Sequence, residues 1–80
     1  MPRPKKRSLS IRGHRTSITL EDAFWKALHD LALEKQESVP TLIARIDDAR
    51  GKSTLSAAIR VYLLDHYRAA ASLEFTQQKK

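Results

Sequence analysis

The sequence predicts a mostly α-helical fold with one short N-terminal strand, completed as an intertwined homodimer. Three observations lead there. Residues 15–20, Arg-Thr-Ser-Ile-Thr-Leu, alternate between buriable and polar side chains, which is the period of a strand. From Glu21 onward the apolar residues recur at helical spacing in three segments. Nothing else in the chain reads as a partner strand, yet a lone strand leaves a row of unpaired N–H and C=O groups. A second copy, paired antiparallel across a two-fold axis, satisfies them.

In the strand, Thr16, Ile18 and Leu20 point to one side, and Arg15, Ser17 and Thr19 to the other. Ile and Thr favour extended backbone. The second side is a row of hydrogen-bonding groups with a cation at one end, shown twice in a dimer. A two-stranded ribbon of this kind fits the major groove of B-DNA.

Composition narrows the classes. Eighty residues allow one domain, and with ragged ends removed about sixty remain to build a core, a size that often relies on oligomerisation. The chain has no cysteine, which excludes a disulfide framework and a thiolate metal site. No apolar run reaches membrane-spanning length, and the basic N-terminus lacks the apolar stretch of a secretory signal. A cytoplasmic, nucleoid-associated setting is expected. The net charge is +6, and all of it is N-terminal. Arg3, Lys5, Lys6, Arg7, Arg12 and Arg15 occur within the first twenty residues without an acid, whereas residues 21–80 hold nine basic and nine acidic residues. Such an arm, leading into a polar strand, points to a polyanion.

In chain order, residues 1–11 are expected to form a disordered basic arm, since prolines and clustered cations do not fold locally. Lys5, Lys6, Arg7 and Arg12 are its expected phosphate contacts, along the backbone or in a minor groove. Gly13 allows a bend, and His14 is expected to be exposed. Residues 12–71 make the domain, and residues 72–80 a flexible tail. The first helix is expected from Asp22 to Gln36, with acids in its first turn where the dipole favours them. Phe24, Leu28, Leu31 and Ala32 share its buried face, and Trp25 is expected to pack in part across the dimer. Ser38 is a good N-cap for a second helix to about Arg50, with Pro40 in the tolerant first turn and Leu42, Ile43 and Ile46 buried. Gly51 ends it. Ser53 or Thr54 caps a third helix to about Ala71. That helix is apolar on two sides, through Leu55, Ile59, Tyr62 and Leu63 on one and Val61 and Leu64 on the other, so it is expected to lie between subunits. Tyr62 and Tyr67, at helical spacing, read as core or rim. The expected dimer core is Ile18, Leu20, Phe24, Leu28, Leu31, Ile43, Ile46, Ile59 and Leu63.

The Arg-Thr-Ser-Ile-Thr-Leu strand, the acidic first turn and the Phe-Trp…Leu helix resemble the ribbon-helix-helix (Arc/MetJ-type) family of bacterial DNA-binding regulators. Residues 12–67 look like a bacterial branch of it, with a Gly-His-Arg-Thr-Ser-Ile strand, an Ile-Asp-…-Arg-Gly segment and a Leu-Ser-x-Ala-Ile-Arg final helix, about seven-tenths of the chain. The resemblance implies that Arg15, Ser17 and Thr19 contact bases. The chemistry agrees, because Arg bonds guanine O6 and N7 in a bidentate manner and Ser or Thr bonds either base. It also implies a phosphate clamp at the N-terminus of the second family helix. That is Ser38 and Thr41 if the helix after Gln36 is meant, or Ser53 and Thr54 if the final helix is. A standard member has two helices where this chain has three, and Gln36-Glu37 stands where a glycine turn is usual.

The leading expectation is therefore a sequence-specific DNA-binding protein, a transcriptional regulator of repressor type, working as a homodimer that assembles further on double-stranded DNA. The alternative is a protein-interaction module of the same fold, an antitoxin or adaptor. An enzyme is not expected. There is no glycine-rich phosphate loop, no metal spacing among His14, His29 and His66, and Asp47 and Asp48 are adjacent and diverge on a helix. No cofactor, metal, membrane or small-molecule substrate is called for.

Overall fold

The structure, a computed structural model, describes residues 3–78, with side chains for residues 3–72. Its elements are β1 (Pro4–Ile11), β2 (His14–Glu21), α1 (Asp22–Glu34), α2 (Val39–Ala49) and α3 (Leu55–Gln78). The helices follow the expected order. The last runs past Ala71 to Gln78, where a flexible tail was expected. The parts of the expected arm and tail at residues 1–2 and 79–80 lie outside the described residues.

The largest correction concerns the N-terminus. Residues 4–11 are not a disordered arm but a strand, and β2 finds its partner within its own chain. The two strands pair antiparallel from Pro4 opposite Glu21 to Ile11 opposite His14. Arg12 and Gly13 form the whole link, with φ of 54° and 79°. Two central residues with positive φ are what a two-residue hairpin of the right twist requires. Gly13 adopts this freely, whereas Arg12 does so at a cost of about 1–2 kcal/mol. The Arg12 side chain offsets it. Its guanidinium donates to the Ala44 carbonyl oxygen at 2.9 Å and pairs with Asp48, fastening the turn to α2.

Tertiary contacts explain why so charged a stretch forms a strand. Lys5, Arg7, Leu9 and Ile11 lie on the face that meets the helices, opposite Leu20, Ile18, Thr16 and His14. Ile11 is buried and Leu9 half-buried. Trp25 of α1 is buried and its indole N–H donates to the Lys5 carbonyl oxygen at 3.0 Å. The Arg7 guanidinium stacks 5.0 Å from the Trp25 ring centre, and the Lys5 ammonium lies 3.3 Å from an Asp22 carboxylate oxygen. Trp25 thus packs inside its own chain.

The helices cover one face of the hairpin and leave the other open. Eight of the nine expected dimer-core residues are buried within the single chain, and Phe24 is half-buried beneath the Arg60 guanidinium. Ile11, Trp25, Ala32 and Leu42 complete the core. Each large apolar side chain removed from water contributes about 1.5–3 kcal/mol.

The ends of the helices follow local chemistry. The Ser38 hydroxyl oxygen accepts from the Thr41 N–H at 3.2 Å, as an N-cap should. After α1 the chain turns through Gln36 at φ 58°, with Gln36 N–H bonded to Leu33 O and Glu37 N–H to Ala32 O, both at 3.0 Å. This is a Schellman closure with glutamine where glycine is usual. Gly51, at φ 62°, closes α2.

Candidate nucleic-acid interface

Residues opposite one another in an antiparallel pair share a face. The open face of the hairpin therefore carries three rows: Lys6 beside Thr19, Ser8 beside Ser17, and Ser10 beside Arg15. All six side chains are exposed. The Ser8 and Ser17 hydroxyls lie 3.4 Å apart. Among the described residues, neither Lys6 nor Arg15 has an ion-pair partner. The face is a strip of hydroxyls with a cation at diagonally opposite corners. Two strands spaced about 4.8 Å apart enter a groove about 12 Å wide.

Arg15, Ser17 and Thr19 are together on this face, as the alternation requires. Lys6 joins them there. The other expected phosphate contacts are more engaged. Lys5 pairs with Asp22 and Arg7 lies over Trp25 on the helical face. Arg12 is held by Asp48 and Ala44, and its hydrogen bond to Asp48 is the first cause that raises its pKa further above the ordinary arginine value. His14 is exposed.

The two candidate clamps differ in their free donors. At α2, the Thr41 N–H is taken by Ser38, Pro40 has no N–H, and the Ser38 and Thr41 hydroxyls bond to each other at 2.8 Å. Glu37, just before the helix, is neutralised by Arg45. At α3, Thr54 is the cap and accepts from the Ala57 N–H at 3.2 Å. The N–H groups of Leu55 and Ser56 are left without a protein partner among the described residues, and the first turn has no acid. Lys52 and Ser53 lie beside them. The second start is the more open to an anion.

Sequence reasoning missed Ser8 and Ser10. Their signal was present, since Ser-Leu-Ser-Ile alternates and stands three residues, one of them Gly13, from the alternating run at residues 15–20. The prolines and cations around it masked the strand. At the other end of the hairpin Glu21 receives the Arg60 guanidinium at 3.0 Å. Its carboxyl is held below the ordinary glutamate value, first by a hydrogen bond from its own backbone N–H and then by Arg60.

Away from the ribbon, Val61, Leu64 and Tyr67 are exposed on α3. Val61 stands between two grooves. One of about 460 Å³ lies towards α2, and one of about 320 Å³ lies towards α1, lined by Phe24, Ala27 and Leu64. No cluster of potential metal ligands occurs among the described residues, and no helix there is long and apolar enough to cross a membrane.

A polar, cationic two-stranded ribbon backed by helices defines a class of proteins that meet their ligand through a sheet face. The model of the ribbon-helix-helix domain matches residues 4–67, so the chain belongs to that family, and the match takes in β1 as well as β2. Ribbon-helix-helix domains are DNA-binding modules that generally act as dimers. No curated protein and no solved structure is significantly similar to the chain.

Proposed function

We propose that this protein is a sequence-specific DNA-binding transcriptional regulator of repressor type, acting as a cytoplasmic, nucleoid-associated homodimer. The open face of the ribbon enters the major groove, and Arg15, Ser17 and Thr19 contact bases. The observation that carries this reading is the unpaired cation and hydroxyl face, on a ribbon of groove width, in a member of a DNA-binding family. Arg3 and the α3 start at Ser53 and Thr54 supply phosphate contacts, and Lys6 stands on the open face beside Thr19. Lys5, Arg7, Arg12, Ser38 and Thr41 contribute less, because their groups already bond within the chain.

The dimer forms through α3. Val61 is a ridge between two grooves, and across a two-fold axis the ridge of one copy meets a groove of the other. The same exposed stripe favours a second reading, an antitoxin or adaptor module that uses α3 to hold a different protein. Fluorescence anisotropy on library-selected and scrambled duplexes, at two salt concentrations, separates the readings. The DNA reading expects a steep salt dependence and a selected motif that Arg15→Ala loses. Absence of binding at low salt refutes it and leaves the interaction module.

A further inference from the structure

We infer that the hairpin of one chain is a complete DNA-reading ribbon with its own internal two-fold symmetry, and that Lys6, Ser8 and Ser10 of β1 contact bases as the counterparts of Arg15, Ser17 and Thr19. The inference rests on the DNA-binding reading and adds the second half of its reader.

The first support is a repeat in the sequence. Lys6-Arg7-Ser8-Leu9-Ser10-Ile11 and Arg15-Thr16-Ser17-Ile18-Thr19-Leu20 match position by position. Each runs cation, variable, serine, aliphatic, hydroxyl, aliphatic. The second support is the register. Ser8 and Ser17, nine residues apart, are corresponding members of the repeat and also sit directly opposite each other. A pseudo-two-fold axis therefore passes between them. It exchanges Lys6 with Arg15, Ser10 with Thr19, and the apolar Leu9 and Ile11 with Ile18 and Leu20. The face that two copies of β2 would make is made by one chain.

The third support is that the orientation of β1 is fixed. The Trp25 bond to the Lys5 carbonyl and the stacking of Arg7 on Trp25 hold the odd-numbered residues towards the helices. Lys6, Ser8 and Ser10 are consequently held outward, on the pleat opposite their neighbours.

The geometry gives the kind of site. Lys6 and Arg15 stand on rows four residues apart, about 13 Å along the ribbon. That is about four base-pair rises. Both residue types favour guanine O6 and N7. Each hairpin should therefore select a short, approximately palindromic element with a guanine on each strand about four base pairs apart, and hydroxyl contacts between them.

The test uses the full chain. Sites are selected from a random duplex library for the wild type, Lys6→Ala, Arg15→Ala and the double variant Ser8→Ala/Ser10→Ala, with affinities for selected and scrambled duplexes beside them. Thermal unfolding checks that each variant folds, since all four side chains are exposed. The expected result is that Lys6→Ala and Arg15→Ala erase the guanine preference at opposite ends of the motif. Each should weaken binding to the selected site by about 5- to 150-fold and to scrambled DNA far less. The serine pair should relax the centre. If Lys6→Ala and the serine variant weaken selected and scrambled DNA equally while Arg15→Ala still changes the motif, the inference is overturned and the DNA reading stands. If no motif is selected, or Arg15→Ala leaves it intact, both fall.

Discussion

Trp25 is the residue on which the hairpin most depends, and Trp25→Phe tests how. The substitution keeps an aromatic ring in the core but removes the indole N–H that donates to Lys5 at 3.0 Å. The bond is half-buried, so its loss costs about 0.5–1.5 kcal/mol. The missing second ring leaves a small void that costs about 1 kcal/mol more. A smaller ring under Arg7 forfeits a few tenths of a kcal/mol. The sum is about 2–3 kcal/mol, against about 4–12 kcal/mol of total stability for a chain of this length. Thermal unfolding should drop by about 10–20 °C. Hydrogen exchange should show the β1 amides losing protection before those of α1 and α2, because the bond removed joins β1 to the helices. A loss under about 1 kcal/mol, with β1 amides protected as in the wild type, would refute the argument that Trp25 holds the strand in place.

Other outcomes follow from the same contacts. Gln36→Gly relieves the positive φ at the end of α1 and should stabilise by about 0.5–1 kcal/mol in urea unfolding; destabilisation would mean that the glutamine side chain contributes to the turn. Arg12→Asn places a residue that tolerates positive φ before Gly13 and should change stability by less than about 1 kcal/mol, since a better turn offsets a lost surface pair. The same variant should leave the salt dependence of DNA binding unaltered, whereas a slope reduced by about one would make Arg12 a phosphate contact. Glu21 has a lowered pKa in the folded state, so its contribution is present above the ordinary glutamate value and is lost as pH falls from there through the lowered folded value. The stability gap between wild type and Glu21→Gln should accordingly narrow as pH falls below the ordinary glutamate value, and a constant gap would exclude the carboxylate's bonds to its own N–H and to Arg60 as its source. On the proposed pairing through α3, Leu64→Glu should give a monomer in sedimentation where the wild type gives a dimer, without lowering the unfolding temperature, because Leu64 is 54% exposed in the single chain; a wild type that sediments as a monomer would refute the pairing.

The helical part of the fold could be read from the sequence because its signals are local. Ser38 caps, Gly51 closes α2, and Leu28, Leu31, Ile43, Ile46, Ile59 and Leu63 keep helical spacing and are buried. The β2 alternation was equally plain, and it brings Arg15, Ser17 and Thr19 to one face. The β1 strand was not legible by the same means. Pro4 and the adjoining cations argue against a strand locally, and what outweighs them is a carbonyl bonded to an indole twenty positions on and a guanidinium stacked on the same ring. Composition assigned Lys5, Arg7 and Arg12 to a polyanion, but three of the chain's own groups, Asp22, Trp25 and Asp48, reach them first. Trp25 and Phe24 also exchange the depths that helical spacing alone gives them, since the larger ring is drawn under β1.

The two-residue link at Arg12-Gly13 has a consequence for how the protein behaves when scarce. A ribbon assembled from two separate chains exists only while those chains are associated, so dilution dismantles the reading surface itself. Strands joined by so short a link see one another at an effective concentration in the millimolar range, whatever the copy number, and hairpins form within about 1–10 μs. In this chain the ribbon is finished as each molecule folds. On the proposed DNA reading, association then sets how many ribbons arrive together, and so the avidity and residence time on DNA rather than the code that is read.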